Sequence, residues 1–346
     1  MFPFFVFASD SLALTTKPSL FVIPHASYQQ ETSWSAGVAF GYYFKNNSLA
    51  RISSVSGSAV YTLNNQFILN ITPKIYFDHK KWYLYSNINW RNYPDLYYGI
   101  GNKPTNLVLP FLSQSLQVIL QPQRQVSKNF YVGAHILFRA DHTTTDTTAI
   151  FLEQAVFNTF GREGWTPFSN VSVGAIATYD SRNSLFYATE GLFLKTVASL
   201  TPSGNKPLVD YVLDFRSYVP LFEKQTLAFQ MLASGSWGSN AQAFQLLPTL
   251  GGRDVLRGFR HGMYRDEHLA VLQTELRTPV YKKLKATLFA SAGDVYSNKG
   301  IYKLKVGYGA GLRYQLNDAR VHLRFDVAKN NYTNKLQFYI TATEAF

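Results

Sequence analysis

Apolar and polar residues alternate along most of this chain with a period of two, as expected of strands that have two unlike faces. The clearest run is Arg320 to Ala328, in which Val321, Leu323, Phe325 and Val327 point one way and Arg320, His322, Arg324 and Asp326 the other. Just before it, Leu304, Val306, Tyr308, Ala310, Leu312 and Tyr314 alternate with Lys303, Lys305, three glycines and Arg313. Phe67, Leu69, Ile71, Ile75 and Phe77 alternate with Gln66, Asn70, Thr72 and Lys74. The second face of such strands is charged, not merely hydrophilic. One such strand suits a soluble sandwich as well as a membrane barrel, so strand number and loop lengths must decide.

The pattern predicts sixteen strands, over residues 19–28, 33–44, 51–62, 66–78, 81–91, 110–126, 129–139, 168–181, 190–201, 207–219, 224–236, 267–278, 282–296, 303–315, 319–329 and 335–346. Most are about 10–13 residues long, above the globular mode of about 5–6 and sufficient for a tilted bilayer crossing. An even number of antiparallel strands returns both ends to one side. From that side the connections at Ser127-Lys128-Asn129 and Asn317-Asp318 are short, whereas the far side carries 92–109, 140–167 and 237–266. Short periplasmic turns opposite long external loops are the asymmetry of outer-membrane barrels. One segment carries its own ruler: Trp82, Leu84, Ile88 and Trp90 share a face. Eight residues at about 3.4 Å, tilted about 40°, give roughly 20 Å, close to an apolar band of about 25 Å between two aromatic girdles. The fold expected is therefore all-β: a closed transmembrane antiparallel barrel of sixteen strands.

Composition sharpens this only in part. Charged residues make up 16% and aromatics 16%, against about 25% charged in an ordinary soluble domain. No apolar run reaches the roughly 18 residues of a membrane-spanning helix. A large soluble all-β protein would share this composition. The absence of cysteine suits passage through an oxidising periplasm. The net charge of +12 allows nucleic acid or anionic lipid as partner. The basic residues are dispersed and no nucleic-acid motif occurs, so the expected partners are outer-membrane lipid and lipopolysaccharide. Residues 1–18, with the apolar Pro3 to Ala8 and the small-residue Ser11-Leu12-Ala13, are read as a signal-peptide remnant or a disordered N-terminal extension, and 19–346 as the barrel.

Between strands 11 and 12 stands Leu250-Gly251-Gly252-Arg253-Asp254-Val255-Leu256-Arg257-Gly258-Phe259-Arg260. It resembles the sixth-loop signature of the BamA/TamA-type outer-membrane assembly superfamily, the bacterial surface antigen family. That signature is an aliphatic residue followed by Arg-Gly-Phe, here Leu256, Arg257, Gly258 and Phe259. Asp180-Ser181-Arg182-Asn183 with Gly191 resembles a second family stretch, with Ala188 in place of its usual proline. Phe338 through Phe346 resembles the family's last strand with its terminal aromatic, and Tyr97-Tyr98-Gly99-Ile100-Gly101-Asn102 resembles a loop of short, single-barrel members. The resemblance covers about residues 19–346.

The physics of the motif is legible without the family. Arg257 is a permanent cation with a planar fork of donors suited to carboxylates, Gly258 permits a tight turn or close approach, and Phe259 offers apolar contact. What the resemblance implies is a long external loop six folded into the lumen, with Arg257 docked on acids of strands 12 and 13. Glu275 matches the strand-12 acid. On strand 13 the family's Phe-x-Asp-x-Gly reads Phe289-Ala290-Ser291-Ala292-Gly293, so Ser291 takes the acid's place and Asp294 falls on the other face. Arg277, Lys283, Lys285, Lys303, Lys305, Arg313, Arg320 and Arg324 are expected inward, against only Glu275 and Asp326, which gives a net-positive lumen. The seam between first and last strands is expected at Pro24, which has no N–H to donate, and at Phe346.

Family assembly factors carry periplasmic POTRA domains, for which strand 1, starting near Leu20, leaves no room. The resemblance implies aid to the insertion or translocation of outer-membrane proteins or lipids, with outer-membrane protein clients or a periplasmic or surface partner protein. A passive pore, or a structural barrel anchoring a partner, stays open beside it. Seven histidines show no metal-ligand spacing, no Gly-x-Ser-x-Gly occurs, and the glycines near 307 lie in a strand. No enzyme activity, metal or cofactor is expected.

Overall fold

The computed structural model describes residues 18–44, 53–77, 81–103, 108–145, 164–184, 187–202, 207–238, 243–297, 300, 303–316, 322–342 and 344–346. Residues 1–17 and Arg320 lie outside the described residues. The alternating segments become sixteen antiparallel strands closed into one barrel. In chain order these are β1 (Ser19–Gln29), β2 (Ser33–Phe44), β3 (Ser53–Thr62), β4 (Phe67–Phe77), β5 (Trp82–Tyr97), β6 (Leu109–Ser127), β7 (Phe130–Thr145) and β8 (Phe168–Asp180). They continue as β9 (Gly191–Thr201), β10 (Leu208–Pro220), β11 (Thr226–Trp237), β12 (His268–Tyr281), β13 (Leu284–Tyr296), β14 (Lys305–Gln315), β15 (His322–Asn330) and β16 (Gln337–Ala342). No helix among the described residues is long and apolar enough to cross a membrane; this chain crosses with strands.

Strand length varies around the wall. β5, β6 and β7 contain 16, 19 and 16 residues, whereas β15 and β16 contain 9 and 6. The sequence pattern ends β5 at 91 and β7 at 139, whereas the strands run on to Tyr97 and Thr145, through Pro94 of β5 and alongside Pro110 of β6, although proline lacks the N–H of a ladder donor. Both prolines are nonetheless accommodated in the ladder, Pro94 opposite Leu112 and Pro110 opposite Leu96. The inner face of this extension is covered by loop six, so its side chains gain burial that no local pattern announces. At the other extreme β16 stops at Ala342 rather than running to the end of the chain.

The outward face is apolar and edged by aromatic rings. Trp82 and Trp90 both face outward, and Trp90 packs on Phe67 with ring centroids 5.5 Å apart. On β10 to β13 an external belt links Tyr211 to Trp237 at 4.3 Å, Trp237 to His268 at 5.6 Å and His268 to Tyr296 at 5.2 Å. The buried apolar cluster lies inside the barrel, under loop six: Leu250, Leu256, Phe259, Tyr264, Leu269, Val271 and Val295.

Candidate functional site

The described part of loop six, residues 243–267, reaches from one wall of the barrel to the other. Its outbound arm places Phe244 on the far wall, within 4.7 Å of Tyr97, 5.1 Å of Trp165 and 5.5 Å of Phe111 between ring centroids. Gln245 Nε2 donates to Thr143 Oγ1 at 2.6 Å and to the Gly164 carbonyl at 2.6 Å. A short ladder then closes the loop on itself, Thr249 opposite Arg265 and Leu250 opposite Tyr264. The resembling stretch Tyr97 to Asn102 holds this ladder: Gly101 N donates to the Arg265 carbonyl at 2.6 Å, and Lys305 Nζ to the Asn102 carbonyl at 2.6 Å.

The tip, 253–259, docks on the opposite wall. Arg257 is fully buried and pairs through Nη2 with Glu275 Oε1 and through Nη1 with Asp326 Oδ2, the latter at 2.6 Å. Its guanidinium carbon lies 3.5 Å from the centroid of the Phe289 ring, a cation–π contact on a desolvated face. Gly258 takes a φ of +98°, open to glycine at no steric cost. Its N–H donates to Tyr339 Oη at 3.1 Å, and Asn330 Nδ2 donates to its carbonyl at 2.5 Å. Gly307 on β14 matters as much: a Cβ there would lie 1.9 Å from the Arg257 carbonyl oxygen. Gly293 lets β12 and β13 close up in the same way, a Cβ there falling 2.5 Å from the Ala270 carbonyl oxygen. Phe259 completes the dock against Tyr264 and Tyr332, both with centroids 6.0 Å away.

Ser291 does not touch Arg257 as its charge partner. Its Oγ donates to Gln273 Oε1 at 3.1 Å, the same oxygen that accepts Leu256 N–H at 3.1 Å. The second carboxylate comes from Asp326 on β15, two strands further round. The expectation that the dock lacks an acid is corrected on geometry: alternation shows Asp326 facing inward, but not which loop it meets. Asp294, expected on the other face, is buried and bonded to Lys305 Nζ at 2.5 Å, because loop six covers this end of β13.

The basic wall is also corrected. Arg277, Lys305, Arg313 and Arg324 are fully buried inside. Arg277 pairs with Glu275 at 2.8 Å, Arg313 with Asp326 at 2.5 Å and Glu344 at 2.7 Å, and Arg324 with Asp326 at 3.0 Å. Arg253 meets Asp254 at 3.0 Å. Burial would raise the Asp254 carboxyl, but Arg253 and Arg324 outweigh it and hold it below the ordinary aspartate value. Five arginines (253, 257, 277, 313, 324) thus share four carboxylates (254, 275, 326, 344), so most of the field cancels within the network. Lys283 and Lys303 are exposed in connections, and Lys285 stands at the mouth, 3.6 Å from the Tyr187 ring centroid.

Phe346 does not lie on the seam. Beyond β16 the chain turns inward, and Phe346 is buried against Ala188, Tyr218 and Ala228. Arg277 Nη2 donates to the Phe346 carbonyl at 3.1 Å and Nη1 to the Ala188 carbonyl at 3.3 Å. An alternating pattern cannot signal this turn, because an aromatic residue fits an outward strand position equally well. Pro24 does lie in β1, exposed, opposite Val38 of β2. The second resembling stretch supports the same mouth: Arg182 pairs with Asp180 at 2.7 Å, and a Cβ on Gly191 would lie 2.4 Å from the Ser181 carbonyl oxygen.

A profile of the Omp85 superfamily domain matches residues 32–346. The chain belongs to the Omp85 superfamily. Its barrel is similar to that of BamA from Haemophilus ducreyi lacking POTRA domains 1–3, with TM-score 0.64 and 15% identity over 95% of this chain and 70% of that one. It is also similar to CdiB from Escherichia coli (TM-score 0.63, 14% identity, 93% of this chain and 62% of that one) and to CdiB from Acinetobacter baumannii (0.59, 13%, 95% and 60%). At such identities the likeness is one of fold. No curated protein matches by sequence. As an Omp85 barrel the chain is an outer-membrane protein of Gram-negative bacteria, and its short turns face the periplasm.

Proposed function

We propose that this Omp85 barrel acts without enzymatic chemistry, by opening between β1 and β16 to admit outer-membrane protein or lipid clients into the bilayer. The supporting observation is the seam. Among the described residues β1 and β16 pair at Tyr28 opposite Ile340, whereas β1 and β2 pair from Ser19–Tyr43 to Gln29–Ser33. Among the described residues, therefore, most of the β1 edge has no partner on the β16 side and offers a template for an added strand. Pro24 removes one donor from that edge. The filled lumen argues against a passive pore.

The chain has no cysteine, so a single engineered pair can lock the seam. Tyr28→Cys with Ile340→Cys, oxidised, should abolish any acceleration of the folding of urea-unfolded barrel proteins into vesicles, and reduction should restore it. Equal acceleration in both redox states overturns the proposal. Depletion in cells that leaves outer-membrane protein levels unchanged would also count against it.

A further inference from the structure

We propose that the periplasmic rim is a binding surface for anionic phospholipid headgroups of the inner leaflet. This rests on the orientation of the barrel, not on the seam. Arg124 stands on an outward position of β6, next to Trp82 of β5, with its guanidinium carbon 5.8 Å from that ring's centroid. A cation on a lipid face is costly at the midplane of the bilayer and nearly free of penalty at the interface, so Arg124 belongs at the headgroup level. Two further cations adjoin it. Lys81 is exposed, and its carbonyl accepts from Gln125 N–H at 2.8 Å; Lys128 is exposed in the following turn.

The pattern recurs across the barrel. Lys224, Lys282 and Lys283 are exposed in the turns after β10 and β12. Beside them Phe222 is 77% exposed, Tyr281 66% and Val280 58%, and Lys282 Nζ lies 5.1 Å from the Tyr281 ring centroid. None of these six cations makes an ion pair among the described residues; the described acids in the turns of this rim are Glu190, exposed, and Glu223, in the same turn as Lys224. A cation above an exposed ring or aliphatic side chain matches a phosphate above an acyl chain, and each Lys or Arg near an anionic surface adds to the attraction. The two patches sit on β5 to β7 and on β10 to β13. A leaflet surrounds the barrel and meets both, whereas one protein partner covers one side; this favours lipid over an acidic polypeptide.

The full chain in detergent, mixed with equimolar phosphatidylglycerol and phosphatidylcholine, would be weighed by native mass spectrometry, with heat-modifiable gel mobility as the check of folding. Wild type should retain phosphatidylglycerol several-fold over phosphatidylcholine. K81Q/R124Q/K128Q and K224Q/K282Q/K283Q should each lose part of that preference, and the six-residue combination most of it. K303Q/K329Q/K335Q, on the opposite rim, should keep it. Full preference in the six-residue variant, or equal loss in the opposite-rim variant, overturns the proposal. Equal retention of both lipids with saturable binding of polyglutamate would replace the lipid by an acidic polypeptide.

Discussion

The two walls that meet at the seam solve the problem of a polar lumen in opposite ways. On β1 to β4 the buried inward groups are hydroxyls and amides: Ser27, Ser35, Ser56, Ser58, Thr62, Asn70 and Thr72. They bond to close neighbours, Ser27 Oγ to Ser35 Oγ at 2.7 Å and Ser56 Oγ to the Thr72 carbonyl at 3.2 Å. Lys74 is the one Lys, Arg, Asp or Glu on these four strands. On β12 to β15 the inward groups are Glu275, Arg277, Lys305, Arg313, Arg324 and Asp326, all fully buried. Charges at that depth are costly unless paired and hydrogen-bonded, and here the pairing needs loop six and the inward-turned tail. The hydroxyls and amides of the neutral wall bond mostly to one another, whereas the charged wall is complete only when occupied. Loop six also touches the neutral side once, where His261 N–H donates to the buried Glu31 in the β1–β2 turn, so a seam that parts on the β1 side must break that bond, while Arg257 stays held on β12 and β15.

The comparison breaks most visibly if Arg257→Ala is tolerated. Removing one member of a buried ion cluster costs about 3–5 kcal/mol, since the partner charges are left unpaired. Here those partners are Glu275 and Asp326. Loop six should become cleavable by protease, heat-modifiable mobility should be lost at lower temperature, and planar bilayers should show conductance that wild type lacks. The matched change on the neutral wall, Ser58→Ala, should leave all three readouts as they are.

Next in size is Gly307→Ala. Its Cβ would sit 1.9 Å from a backbone oxygen of loop six, which cannot yield as a side-chain tip would, and overpacking of this kind costs about 1–3 kcal/mol. The expected outcome is a loosened loop with the barrel closed, read as faster proteolysis near Arg257 at unchanged β-sheet circular dichroism. A smaller effect is expected for Ser291→Ala, which removes one hydrogen bond to Gln273, about 0.5–1.5 kcal/mol. A double-mutant cycle sharpens the point: Arg257 should couple strongly to Asp326 and weakly to Ser291. Strong coupling to Ser291 would mean that the dock is centred on β13. Smallest of all, Ser56→Ala on the neutral wall gives up one bond to a carbonyl and should lower the unfolding free energy, read by denaturant titration, by less than about 1 kcal/mol.

Much of this was legible in advance. The strand count, the even closure and the sixth-loop position of Leu256 to Phe259 follow from alternation and turn spacing, which are local. The same rule points Glu275 inward. Its partner Asp326 also falls inward, but it lies 51 residues beyond Glu275, and no periodicity relates strands so far apart. By pattern Phe346 belongs on the seam, because a terminal aromatic satisfies an outward strand position, and only the pocket of Ala188, Tyr218 and Ala228 draws it inside. The long external ends of β5 and β7 read as loops because alternation is a local signal, while the loop-six arm that covers them arrives from more than 100 residues away, as Gln245 does at Thr143.

By itself, then, the sequence determined which side of each strand meets lipid, because a period of two is written into consecutive residues and a slip of one would turn every charge outward. It also determined that residue 257 must be met by carboxylates and that residue 258 must bend freely. Which carboxylates meet it, how the cations of the wall are neutralised, and where the last residues go were decided only when the sheet closed. Closure brings β12, β14, β15, loop six and the tail into one volume, and the cost of burying each charge there depends on neighbours that no local stretch of sequence contains.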